Sequence, residues 1–285
     1  MIFEQAKEFV NGARLHRYAW RPEGALRGGV VLVHGLGDYL PRYQRVAAFF
    51  AERGFACGGV DFPGHGQSSG QRGHIPSWEL LQELLEQSFS QLRRLTGGEV
   101  MGLFAHSMGA YVAFEFLARH LADVRFAWLS SPLIQPSFGR PGWLVSLSGP
   151  VGKLLPRFPY DTGVRSADCV GEGTSRLERE KHEPFLHHST TFGFCRELLL
   201  REPGIRRELQ RLTGDMELLV THGTEDRVCP YEISRNMFDE IPLARKRFES
   251  IPGERHEPLH GSRQAEVFAA AADWMDSVTG NRAGV

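Results

Sequence analysis

The sequence predicts an α/β fold: a mostly parallel sheet with helices on both faces, interrupted once by an insertion. Three observations carry this. Short apolar, β-branched runs alternate with helix-like stretches along the chain. Runs such as Val30–Val33 and Leu218–Val220 are apolar at consecutive positions, as expected for strands covered on both sides. At 285 residues, 41% of them hydrophobic, the chain can bury one large core plus a modest insertion.

Taken in order, Arg14–Trp20 alternates polar and apolar and predicts an early antiparallel edge strand. Gly29–Val33, Phe55–Val60, Val100–Phe104, Phe126–Leu129, Leu218–Thr221 and Arg247–Ile251 predict the other strands. Ser77 is placed to cap a helix whose Leu81, Leu84, Leu85, Phe89 and Leu92 recur at helical spacing and stop before Gly97 and Gly98, so this stripe reads as core. After Ser131 and Pro132 the alternation gives way to a stretch rich in Pro, Gly, Trp and His. The division expected is a core of residues 1–132 and 207–285 around an inserted, mainly helical cap, 133–206. Within it, the glycines and prolines of residues 141–158 predict several short helices. The last helix begins near Ser262, and the final GNRAGV is expected to fray.

Composition removes several function classes. A formal net charge of -1 provides no pull toward phosphate backbones, so no nucleic-acid partner is expected. Arg157, Arg165, Arg176 and Arg179 lie among acidic residues and read as a solvated face. No stretch reaches the roughly 20 apolar residues of a membrane span, and acidic residues stand where a secretory leader would be apolar, which predicts a cytoplasmic protein. Cys57, Cys169, Cys195 and Cys229 are scattered without a paired motif and read as reduced core thiols.

Residues 99–120 place Ser107 between a buried-strand run and a helix. A nucleophile displayed at such a strand–turn–helix junction needs small residues two positions to either side, and Ala105 and Gly109 supply them. Small-x-Ser-x-Gly also arises by chance, and a serine opening a helix is often only a cap. Ser107 is therefore weighed with its partners.

Acyl transfer needs donors for the oxyanion of a tetrahedral intermediate. The buried run before His34-Gly35-Leu36-Gly37 ends in a glycine-rich turn, so the backbone N–H groups of Leu36 and Met108 are the candidate pair. His34 reads as a residue orienting that turn. Asp226 follows the strand Leu218–Thr221, with Glu225 as its local competitor and Asp215 and Asp239 as weaker ones. His256 lies in a turn after the next strand, just ahead of the last helix. The order Ser107, Asp226, His256 is that of α/β-hydrolases, with His256 as base and Asp226 fixing its tautomer. One decoy competes: His256-Glu257-Pro258-Leu259-His260 matches the zinc-protease pattern His-Glu-x-x-His. That pattern needs both histidines on an intact helix, and Pro258 interrupts it. His182, His187 and His188 are the nearest source of a third ligand. No metal and no cofactor are expected.

The segments VHGLGDYLPRY, DFPGHGQSSGQRGHIPSW, AHSMGA, THGTEDRVCP and GERHE, in this order, resemble the monoacylglycerol lipase and lysophospholipase branch of the α/β-hydrolases, a serine aminopeptidase-like group. The resemblance implies a sheet of about eight strands. Asp61 and the loop Gly64–Ser68 match the branch's D-x-x-G-H-G-x-S signature and read as scaffold. The cap match is looser. Its Trp143, Phe158, Phe185, Phe192 and Phe194 either line an acyl pocket or bury against the core. A serine-dependent carboxylic-ester hydrolase for single-chain lipids is the first expectation, with monoacylglycerols or lysophospholipids as substrates. Other small esters or thioesters come next, then amide or peptide cleavage. A ligand receptor on a hydrolase fold is the non-enzyme alternative. The related dehalogenases and epoxide hydrolases carry Asp where this chain has Ser107. An apolar cap would also permit transient contact with a membrane surface, and no motif specifies an oligomeric state.

Overall fold

The computed structural model describes residues 1–98, 100–137, 139–171, 178–179, 181 and 184–280. Arg176, His182 and residues 281–285 of the tail lie outside them. An antiparallel pair opens the chain, β1 (Ile2–Val10) with β2 (Ala13–Arg21). There follow β3 (Gly28–Val33), helix α1 (Gln44–Ala51), β4 (Phe55–Val60), α2 (Trp78–Leu95), β5 (Val100–His106), α3 (Met108–Arg119) and β6 (Phe126–Ser130). The chain then leaves the sheet for α4 (Gly142–Leu154), β7 (Pro159–Asp161), α5 (Ser166–Cys169), β8 (Ser189–Thr191) and α6 (Phe192–Gln210). It returns through β9 (Glu217–Gly223), α7 (Tyr231–Glu240), β10 (Lys246–Ile251) and α8 (Gln264–Gly280).

Eight strands form one sheet in the order β1-β2-β4-β3-β5-β6-β9-β10, parallel from β4 onward, and β7 pairs with β8 apart from it. The consecutive apolar runs have the predicted cause. Val31 and Val33 of β3 join a core cluster with α2, α3 and α6, whereas Val30 and Leu32 join one with α1 and α8 on the other face. Ser77 caps α2 by accepting from Leu80 N–H at 3.2 Å, and the predicted leucine stripe is buried.

Three expectations are corrected. The Arg14–Trp20 strand is not the edge, because β1 pairs outside it. β1 has no buried position on either face, so its sequence lacks the alternation that would have revealed it; Phe3 packs on Tyr18 and Trp20. Residues 142–154 form one helix despite Pro150. Gly152 lets that helix approach α6 closely, since a Cβ there would lie 2.6 Å from the Phe192 carbonyl oxygen. Arg179 is buried, not part of a solvated face; Arg157 and Arg165 are exposed as expected. Ile205 and Leu209 of α6 pack in the core. Among the described residues, no helix is long and apolar enough to cross a membrane.

Candidate active site

The parallel strands end at one edge of the sheet, and every predicted site residue lies there. Ser107 follows β5 directly and has φ 53° and ψ −121°, a conformation that L-residues adopt only under constraint. Its N–H donates to the Ser130 carbonyl at 3.0 Å, and its own carbonyl accepts from Ala110 and Leu133 at 3.0 and 3.1 Å. The small neighbours are needed for the reason the sequence suggested. A Cβ on Gly109 would stand 2.6 Å from the carbonyl oxygens of Val33 and His34, and Ala105 is fully buried.

A continuous hydrogen-bond chain runs through the three predicted residues. Ser107 Oγ is 2.9 Å from His256 Nε2, and His256 Nδ1 is 2.8 Å from Asp226 Oδ2. A carboxylate only accepts, so Nδ1 carries the proton and Nε2 is left to accept from the serine hydroxyl. All three side chains are buried. Burial would lower the His256 pKa, but the Asp226 carboxylate outweighs it and holds the imidazole above its ordinary value. Burial likewise opposes ionisation of Asp226 and is overcome by His256 and His222, which hold its carboxyl low. Glu225, Asp215 and Asp239 are exposed and away from this chain of bonds.

Leu36 and Met108 line the same cavity as Ser107 and His256. The Met108 N–H is the first of α3, where helix N–H groups lack intrahelical acceptors. His34 holds the Leu36 turn as expected: its Nε2 accepts from Phe62 N–H at 2.9 Å and its Nδ1 donates to the Gly35 carbonyl at 2.8 Å. Asp61 acts as scaffold, accepting from Leu40 N–H at 2.8 Å and Gln67 N–H at 3.0 Å.

The cavity, about 200 Å³, has Leu36, Met108, Leu133, Leu198, Leu199 and Val228 as its aliphatic part, beside polar residues such as Arg140, Tyr160 and Arg179. None of the five aromatics singled out between residues 143 and 194 lines it. Trp143, Phe158 and Phe185 are exposed, Phe192 stacks on Phe158, and Phe194 is core. The segment between β6 and β9 instead contributes Leu198, Leu199, Val164 and Leu186. It docks on the Leu36 turn through His187 N–H, which donates to the Gly37 carbonyl at 3.0 Å. Gly37, at φ +72°, is required there, because a Cβ would lie 2.0 Å from the His187 carbonyl oxygen.

Several site residues escaped the sequence reading. Glu257 was seen only in the zinc-like motif. Its buried carboxylate is held by Arg42 at 2.6 Å and by Arg179 at 3.2 Å, while Arg42 also pairs with Asp38 at 3.0 Å. Burial would raise the Glu257 pKa, and the two guanidiniums hold it well below the carboxylate range. His256 of that motif is committed to Ser107 and Asp226, and His182 lies outside the described residues. His106, beside His256 at a ring separation of 4.9 Å, is pushed down to about 3 by burial. Cys229 Sγ sits 4.0 Å from Ser107 Oγ. His222 contacts Asp226. The sequence offered no local signal for the ion pairs; the proximity of His222 to Asp226 along the chain was a signal that went unused.

Comparison with known proteins agrees with this architecture. The sequence pattern of the family described as "Serine aminopeptidase, S33" matches residues 24–263. The chain is 30% identical over 273 residues to a monoacylglycerol lipase of Mycolicibacterium smegmatis, covering 94% of this chain and 95% of that protein. In structure it is similar to a Paleococcus ferrophilus monoacylglycerol lipase, with a TM-score of 0.82, 26% identity and coverage of 93% of this chain and 99% of that one. A soluble variant of the Saccharomyces cerevisiae monoglyceride lipase, in complex with a substrate analog, superposes with a TM-score of 0.83 at 20% identity, over 98% and 96% of the two chains.

Proposed function

We propose that this chain, which belongs to the serine aminopeptidase S33 family of α/β-hydrolases and is a serine hydrolase, cleaves carboxylic esters of single-chain lipids through an acyl-enzyme on Ser107. The observation that carries the reading is the buried chain from Ser107 Oγ through His256 to Asp226. His256 takes the serine proton as Oγ attacks the ester carbonyl, forming the Oγ–C bond. It returns that proton to the alcohol as the C–O bond breaks. Water activated by the same Nε2 then releases the acid. The backbone N–H groups of Leu36 and Met108 receive the oxyanion, a contribution typically worth about 10²–10³ in rate per donor. Asp226 stays ionised throughout and stabilises the imidazolium.

The aliphatic cavity wall and the lipase names of the relatives support an acyl lipid, with monoacylglycerol ahead of lysophospholipid. Residues 133–206 act as the cap, with α6 anchored in the core through Ile205. The exposed Trp143, Leu147, Leu154 and Phe158 support transient contact of that cap with a lipid surface.

Two measurements test the reading. A fluorophosphonate should label the native protein and not Ser107→Ala, which should also lose hydrolysis; full turnover by Ser107→Ala would remove the mechanism. A series of p-nitrophenyl esters beside monoacylglycerol and lysophosphatidylcholine tests the substrate. An optimum at acetate or butyrate would replace the lipid reading with that of a small-ester carboxylesterase.

A further inference from the structure

We infer that His222 is a positioning residue for the reaction, a second imidazole that holds the same Asp226 oxygen as His256; this rests on the Ser107–His256–Asp226 reading above. Four observations carry it. His222 Nε2 lies 3.0 Å from Asp226 Oδ2, the same oxygen that accepts from His256 Nδ1. It also lies 2.8 Å from the Cys229 carbonyl oxygen. Both neighbours are acceptors, so the ring carries its proton on Nε2 and shares it between them. The remaining ring nitrogen, Nδ1, is buried without a hydrogen-bond partner among the described residues, and the side chain is fully buried.

A buried imidazole with an unpartnered nitrogen works against folding, and an apolar residue would fill the same space without that cost. The feature that an apolar residue could not replace is the Nε2–H aimed at Asp226. The ring itself is clamped, lying near parallel to Phe248 at 6.3 Å and edge-on to Tyr231 at 5.8 Å, so the direction of its N–H is fixed.

Asp226 is thus held on both oxygens. Oδ1 accepts from the N–H groups of Val228 and Cys229 at 2.8 and 2.9 Å, and Oδ2 accepts from the two histidines. The consequence reaches His256 in two ways. The plane of the carboxylate is fixed, which fixes the direction in which His256 points Nε2 at Ser107. The negative charge of Oδ2 is also shared, so Asp226 draws less strongly on the His256 imidazolium than an unshared carboxylate would. Among the described residues, the titratable and charged groups facing this pair are Cys229 and Tyr231 beside His222, Cys169 near Asp226, and His106, Glu257 and Arg179 beside His256.

The test compares His222→Leu, which removes the donor, with His222→Gln, whose amide nitrogen reaches the position of Nε2. In His222→Leu, kcat should fall by about 10- to 100-fold with KM little changed, the range typical of outer-shell partners. The acid limb of its kcat/KM profile should move to higher pH, because the unshared carboxylate now holds the His256 proton more tightly. His222→Gln should restore kcat and return the limb toward that of the native enzyme. Wild-type kcat and an unmoved limb in His222→Leu would overturn the inference, as would a His222→Gln as impaired as His222→Leu with an unmoved limb. If the leucine variant does not fold, His222→Asn, whose amide reaches the Nδ1 position instead, replaces it with the same expectations. Ser107→Ala separates the two levels: an active Ser107→Ala overturns the reaction assignment, whereas an inactive one beside a fully active His222→Leu overturns only the role of His222.

Discussion

Arg179, from the segment between β6 and β9, pairs with Glu257 at 3.2 Å, with both side chains only 6% exposed. Glu257 is the residue after His256, and its N–H donates to the Cys169 carbonyl at 2.8 Å, again in that segment. The loop that carries the proposed catalytic base is therefore built against the proposed cap as much as against the core.

Removing the charge of Glu257 would leave Arg42 and Arg179 buried beside a neutral amide. Breaking a buried pair from one side typically costs about 3–5 kcal/mol. Glu257→Gln should lower the midpoint of thermal or urea unfolding accordingly, and Arg179→Met, which leaves the Arg42 pair intact, should lower it less. Equal stability of native and Glu257→Gln protein would contradict this account.

The pH–rate profile has a defined sign. His256 must be neutral to accept the serine proton, and Asp226 holds its pKa above 6.5. We expect kcat/KM to fall as pH drops through a midpoint above 6.5, and the fall to be steepest there. A midpoint below that value would mean that burial, not Asp226, dominates the imidazole.

Gly109→Ala should damage the turn at Ser107. Its Cβ would press on the carbonyl oxygens of Val33 and His34 at 2.6 Å, both of them backbone atoms that cannot rotate away. Overpacking of this kind costs typically about 1–3 kcal/mol. Fluorophosphonate labelling should slow along with the loss in stability, and normal labelling would show that the turn tolerates the methyl.

Acid should destabilise the fold. Burial lowers the pKa of His65 well below 6.5, that of His106 to about 3 and that of His187 to about 4. Between pH 6.5 and the folded values, the unfolded chain binds protons that the folded chain excludes, so stability falls as pH falls. His256, raised, has the opposite sign, and these three, together with His16 and His74, which burial also lowers, outnumber it. Calorimetry should give a Tm that declines from pH 6.5 toward pH 4; a flat Tm would argue that these rings are charged in the fold.

Much of this was legible in the sequence because it is local. Consecutive apolar residues report a strand covered on both faces, and small residues around Ser107 report a tight turn. A residue after a strand's carboxyl end is already placed at the ligand-binding edge of a parallel sheet. Where the local pattern was weak, the reading failed. β1 buries too little to alternate. The glycines of α4 looked like helix breaks, yet Gly152 serves a close helix contact that no single segment reveals. Trp143, Phe158, Phe185, Phe192 and Phe194 read as candidates for an apolar pocket, but none of them lines it; Tyr160 and several leucine and valine side chains do.

By itself the sequence determined the α/β alternation and singled out Ser107, Asp226 and His256 as candidates, since each follows its own strand in a turn. The tertiary structure alone decided which buried charges and rings those residues live among. Arg42 and Glu257 are 215 positions apart, and Arg179 meets Glu257 from the inserted segment. Local propensity does not select such partners. They are chosen by burial, which makes an unpaired charge costly and so requires a partner from whichever part of the chain the fold brings within reach.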